Sequence, residues 1–254
     1  MSLVKTDEEI VILREGGRRL AEILVELSAA IKPEVTGREL DKLARELITQ
    51  NGDQPSFLNY APEGADKPFP AALCVSVNEE VVHGIPSDRQ LKVGDIVGLD
   101  LGLNHKGLFT DMAVTVGVGE VSKEVHKLLK ATREGLRAGI SKARPGNTLG
   151  DIGFAIEEVA KSYGLGVVRD LGGHGVGKKV HEEPHIPNFG KQGKGIKLKA
   201  GMVLAIEPMF TLGTDNVSFL PDGYLVKTTD GSLAAHFEHT IVITTTSAEI
   251  LTKV

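Results

Sequence analysis

Apolar residues recur at helical spacing in four stretches of the chain. Over residues 36–52, Leu40, Leu43, Ala44, Leu47 and Ile48 line one face of a helix. Over residues 148–164, Ile152, Ala155, Ile156, Val159 and Ala160 take the equivalent places. Both stretches open on Thr-x-x-acid, a pattern that satisfies free N–H groups at a helix start. Both stop at a glycine, Gly52 and Gly164, suited to a left-handed cap. A second helix precedes each. One covers residues 7–31, with Val11, Leu20, Leu24, Leu27 and Ile31; the other covers 123–143, with Val125, Leu128, Leu129 and Leu136. The strands downstream repeat too: VGDIVGLD (93–100) and AGMVLAIE (200–207) each run glycine, apolar strand, carboxylate. Helix, helix, strands, twice over, predicts an α+β fold of two pseudo-symmetric halves, about 1–120 and 121–254. A curved, mainly antiparallel sheet is expected inside, with helices outside. No Ser- or Gly-rich linker separates the halves, so residues 1–254 are expected to form a single domain.

Period-two patterning then isolates four carboxylates. In DIVGLDLGL, Val97, Leu99 and Leu101 share one face of a strand; Ile96, Gly98, Asp100 and Gly102 share the other. Asp100 is therefore mid-strand, and glycines on its own face are expected to leave room for a ligand. FTDMAVTVGV follows after NHKG and puts Asp111 early in a strand expected to pair antiparallel with the first. VLAIEPMF carries Glu207 just before Pro208, and HFEHTIVITT carries Glu238 at the entrance of a fourth strand. One acidic residue in a strand is commonly a solvated edge residue. Four of them in or beside apolar runs need a partner, because unpaired buried charge is costly. The basic residues lie mostly in loops and helices, and converging carboxylates repel unless a cation sits between them.

GGHGVGKKVHEEPHIPNFG, residues 172–190, reads as loop, since glycine and proline break helices and long strands. His174 lies there between glycines that let backbone approach closely. Asp100, Asp111, His174, Glu207 and Glu238 together offer four carboxylates and one imidazole, a charge that two divalent cations balance. Such donors suit manganese, iron, cobalt or zinc alike.

Composition narrows the function classes. The chain has 254 residues, 41% hydrophobic and 25% charged, with a net charge of −5. That balance gives no reason to expect DNA as a partner. No apolar run reaches the ~18 residues that span a bilayer, so no membrane association is expected. The opening MSLVKTDEEIVILREGG is charged early and lacks a signal-peptide core. The lone cysteine, Cys74, rules out an internal disulfide framework and a zinc ribbon, and a cytoplasmic home is expected. A monomer is the expected state. GKQGKGIKLKAG (190–201) is basic; such runs are commonly solvated loops, and this one is also suited to touching ribosomal RNA.

In order and spacing, NEEVVHGIP, GLDLG with FTDMAVT, GGHGVG, VHEEPHIPN, AIEPM and FEHTIVIT resemble the methionine aminopeptidases of the pita-bread metallopeptidases. HGIP, and EHT after EP, favour that branch over the prolidase-like relatives, and the absence of a long second-half insertion resembles the short bacterial type 1 form. The resemblance implies a metallo-exopeptidase, a hydrolase that removes N-terminal methionine from peptides and nascent chains and prefers a small second residue. It implies a two-metal centre held by Asp100, Asp111, His174, Glu207 and Glu238, with Glu238 bridging, and attack by a metal-bridging hydroxide. It also implies that Glu207 carries a proton, that His181 stabilises the oxyanion, and that His83 faces the scissile amide. Cys74 matches the family's methionine pocket, with Tyr60 as a further wall. Phe69 stands where the family usually has Tyr, Tyr224 where Trp is frequent, and Val180 where Phe is common. The NYAPEGADKPFP loop is longer than usual. His105, His126, His185, His236 and His239 are read as structural or loop residues.

Overall fold

The structure is a computed structural model and describes residues 3–61 and 67–254. Four long helices form where the apolar stripes lie: α1 (Asp7–Ala30), α2 (Gly37–Gln50), α3 (Lys123–Lys142) and α4 (Leu149–Tyr163). Their starts follow the expected chemistry. The Thr36 hydroxyl accepts from Glu39 N–H at 3.2 Å while the Glu39 carboxylate accepts from Thr36 N–H at 2.8 Å. The Asp151 carboxylate likewise accepts from the Thr148 N–H and hydroxyl. Gly164 caps α4 in the left-handed region at φ 66°, and Gly52, one residue beyond the cap of α2, has φ 74°. The stripe of α1 differs from the reading in one position. Val11 faces solvent, and Leu13, Leu20, Ile23, Leu24 and Leu27 are the buried set.

Every strand pairing among the described residues is antiparallel, and hydrogen bonding divides the inner layer into four small sheets. Two of them carry the repeat. In the first, Ile96–His105 lies between Leu73–Val77 and Leu108–Gly117. In the second, Val203–Ile206 lies between Gly172–Gly175 and His239–Ile243. Helices α1 and α2 pack on the first with Val97, Leu99 and Leu101; α3 and α4 pack over the second with Leu204, Ile206 and Ile241. Glu238 N–H donates to the Ala113 carbonyl at 2.9 Å, and the Thr240 hydroxyl donates to the Asp111 carbonyl at 2.7 Å. These bonds fasten the first sheet to the second along one seam, where the acidic residues lie.

The 172–190 stretch departs from the loop reading. Gly172–Gly175 and Glu182–Pro187 are short strands, the second at the edge of its sheet. An edge strand tolerates Pro184 and Pro187 because one side of it donates no ladder hydrogen bonds.

Candidate metal centre

Sheet register brings the first two carboxylates together. Asp100 sits opposite Cys74 on one side and Ala113 on the other, while Asp111 sits opposite Gly102. Residues 100 and 102 share a face, so Asp100 and Asp111 are diagonal neighbours on it. The space beside Gly102 is already filled: a Cβ there would come within 1.9 Å of Ser56 Oγ and 2.8 Å of the Phe57 ring. The expectation that this glycine admits a ligand is corrected, since it admits the Ser56–Phe57 segment instead.

The second half supplies the rest. His174, paired with Ala205, holds Nδ1 2.9 Å from the Gly175 carbonyl. That bond places the ring proton on Nδ1 and leaves the Nε2 lone pair free toward the cluster. His174 Nε2 lies 3.5 Å from Glu207 Oε1. Glu207 follows strand Val203–Ile206, and the buried Asn188 amide donates to its carbonyl at 3.0 Å. Three overlapping sets of donor atoms lie within 4.8 Å of one another: Asp100, Asp111 and Glu238; His174, Glu207 and Glu238; and Asp111, His174 and His181.

Burial decides what this cluster needs. Asp100, Asp111 and Glu238 are 9%, 3% and 2% exposed. Asp100 Oδ1 and Glu238 Oε1 are buried with no hydrogen-bond partner. No lysine or arginine among the described residues pairs with any of the four carboxylates; the ion-pair neighbours of Glu207 are His174 and His236. Burial first, and the neighbouring carboxylates second, push Asp100, Glu207 and Glu238 well above the ordinary range. Burial raises Asp111 to about 7. Buried acceptor atoms without partners, with an unprotonated imidazole beside them, fit a divalent cation.

A cavity of about 240 Å³ opens above the carboxylates. Its walls include Tyr60, Phe69, Cys74 and Tyr224, together with Phe57, Leu171 and Phe219. His83 and His181 also line it. The His181 ring stands 4.4 Å from that of His174, centroid to centroid, and its Nδ1 lies 2.8 Å from the Tyr60 hydroxyl. Desolvation, joined by His174 for His83 and by His83 for His181, lowers both imidazoles to about 4, so both are neutral at pH 7. Burial also holds the Cys74 thiol well above its ordinary range, and hence protonated.

Two features depart from the sequence reading. Val180 is 4% exposed and packs with Phe57, Phe69 and Cys74, yet it is not on the cavity surface. It backs the wall rather than forming it. The neighbouring loop that was read as longer than usual includes residues 62–66, which lie outside the described residues. His236, read as structural, is 4% exposed, and its Nε2 lies 3.3 Å from Glu207 Oε2. Its spacing of two from Glu238 was the available signal, because such residues share a face of an extended chain.

Comparison with known proteins places the whole chain among metallopeptidases. The model of Metallopeptidase family M24 matches residues 11–245. A methionine aminopeptidase of Clostridium perfringens is 46% identical over 254 residues, covering 100% of both chains. The crystal structure of a methionine aminopeptidase from Rickettsia prowazekii superimposes with a TM-score of 0.95 at 39% identity, over 98% of this chain and 99% of that one. A prolidase from Pyrococcus furiosus superimposes with a TM-score of 0.77 at 25% identity, over 99% of this chain and 66% of that one.

Proposed function

The chain belongs to Metallopeptidase family M24, and from that premise we propose how its site removes methionine from the N-terminus of peptides and nascent proteins. The activity is that of a metal-dependent methionyl aminopeptidase, a hydrolase on the pita-bread fold. The observation that carries this reading is the convergence of Asp100, Asp111, His174, Glu207 and Glu238 beneath an apolar, aromatic-walled cavity. In the proposed reading these five residues hold two divalent ions of cobalt, manganese, iron or zinc. When bound, such ions acidify a water and polarise a carbonyl.

The chain's own residues do the rest. The acidic floor draws the free α-amine of the substrate, which sets the first residue over the cluster. The cavity wall of Tyr60, Phe69, Cys74 and Tyr224 takes the unbranched thioether side chain. Glu207 accepts a proton at its carboxylate and delivers it to the leaving nitrogen. The Tyr60 hydroxyl, donating to His181 Nδ1, leaves Nε2–H to donate to the developing oxyanion. His83 faces the amide that is cut, where a small second residue fits best. Residues 1–254 act as one catalytic domain, monomeric and cytoplasmic. The exposed lysines of the 190–201 segment suit a transient contact with ribosomal RNA at emerging chains.

Purified protein should release methionine from Met-Ala-Ser in a metal-dependent manner and leave Xaa-Pro peptides intact. Preferential cleavage of Xaa-Pro would move the assignment to the prolidase branch. His181→Ala should lower kcat by about a hundred- to a thousand-fold while tight metal binding persists. His181 also falls in one donor set with Asp111 and His174. Parallel loss of metal and activity would therefore make it a ligand instead.

A further inference from the structure

Glu182 directly follows His181, and groups from elsewhere in the chain engage its carboxylate on both sides. One oxygen accepts from the Lys5 ammonium at 2.7 Å. The other accepts the backbone N–H groups of Lys178 and Lys179. The Lys5 and Glu182 side chains are 1% and 7% exposed. Lys5 is itself anchored, since its N–H donates to the Gly201 carbonyl at 2.8 Å and Val4 bridges to Met202.

Gly177, the last glycine of GGHGVG, makes this contact possible. It has φ 141°, and a Cβ there would come within 2.4 Å of Lys5 Cε. This glycine of the motif serves the passage of the Lys5 stem rather than the metal cluster. The turn is tied twice more: Lys178 Nζ reaches Glu9 Oε1 at 2.9 Å, and the Gly177 carbonyl accepts from Phe109 N–H at 2.7 Å.

We infer that Lys5 is a positioning residue for His181: through Glu182 it holds the turn between Gly177 and Glu182 in the conformation that aims the His181 imidazole into the cavity. The role in turnover rests on the aminopeptidase reading above. The physical reason is asymmetric burial. With Lys5 present, the Glu182 carboxylate is paired and can stay inside. Without it, two N–H groups alone face a buried charge, and the carboxylate gains by turning to water. His181 shares a peptide bond with Glu182, so the imidazole turns with it. Lys5 lines no part of the cavity, so substrate and metal affinity are left to other residues.

The test uses the full-length, metal-loaded protein and the variants Lys5→Met and Lys5→Arg. Lys5→Met should lower kcat on Met-Ala-Ser by at least about tenfold, a misplaced catalytic group being costly even at small displacement. KM should stay within about twofold and metal content should not change. Amide exchange at Lys178 and Lys179 should quicken. Lys5→Arg keeps the charge-assisted link and should recover most of kcat. A folded Lys5→Met protein with unchanged kcat, or with losses of activity and metal in proportion, overturns the inference. Should Lys5→Met not fold, exchange in the wild-type protein decides. The Lys178 and Lys179 amides should then open together with the Lys5 amide, within about threefold in rate. Turn amides exchanging at least about tenfold faster than a protected Lys5 would refute the clamp. If the wild-type chain releases no methionine, the aminopeptidase reading fails, and the exchange measurement still decides the clamp.

Discussion

Asp100→Ala should abolish turnover, lowering kcat by at least about a thousand-fold, the several kcal/mol that a bound metal supplies to such a reaction. The expectation follows from where register puts this side chain. Asp100 lies on the middle strand of its sheet, between Cys74 and Ala113, with Oδ1 buried and lacking a partner. It shares one donor set with Asp111 and Glu238, so its removal opens the coordination of any ion held there. Bound metal, measured by mass spectrometry after dialysis, should fall with activity, and His174→Ala should behave alike through the second set. Stability separates this from simple damage to the fold. Burial pushes the Asp100 carboxyl well above the ordinary range, so its removal takes away an unfavourable burial, and metal-free Asp100→Ala should melt no lower than metal-free wild type at pH 7. Full turnover after exhaustive chelation, or an undiminished metal content in the variant, would sink the metal-centre reading.

The parts of this site that could be read from the sequence are those with a local period. Asp100 and Asp111 announce themselves because a carboxylate interrupts an alternating apolar strand, and the short NHKG turn fixes which strand each faces. The two helix pairs are legible because cap, stripe and stop repeat together. What escaped has no local signature. The Lys5–Glu182 pair spans 177 positions, and nothing near either residue marks it as buried. Gly102 is flanked as a ligand-facing glycine would be, yet its space is taken by Ser56 and Phe57 from a distant segment. Val180 adjoins His181 in sequence but packs behind the wall with Phe57, Phe69 and Cys74; both lie in the turn between Gly177 and Glu182, where no strand period tells which side a residue takes. His236 could have been found, since a spacing of two places it beside Glu238, but its neighbour Glu207 comes from another strand.

Without metal, the protein should lose stability as pH rises from about 7 to 9, and a divalent cation should remove that loss. In the folded state Asp111 titrates at about 7, and Asp100, Glu207 and Glu238 are raised further by burial and by one another. In the unfolded chain all four are ionised above pH ~5. The native state therefore binds more protons than the unfolded state at pH 7 and above, and the unfolding free energy falls as pH rises. Each proton so held steepens the fall by about 1.4 kcal/mol per pH unit. Below pH ~6.5 the buried histidines act in the opposite sense. His83, His174, His181, His236 and His239 are lowered to between about 3 and about 4, so the unfolded chain takes up protons that the native state refuses. There the two sets oppose each other; at the alkaline end the carboxylates act unopposed, joined by the buried Cys74 thiol, whose raised titration works in the same direction. One proton held in this way from pH 7 to 9 gives a loss of about 3 kcal/mol, roughly 6–12 °C in Tm for a chain of this size, and each further proton held adds to it. Bound Mn²⁺ keeps the carboxylates ionised in the native state, so calorimetry with saturating Mn²⁺ should show a higher and nearly flat Tm over the same range. A chelated protein whose Tm holds or rises from pH 7 to 9 would mean that these four side chains are not the buried, mutually repelling set described here.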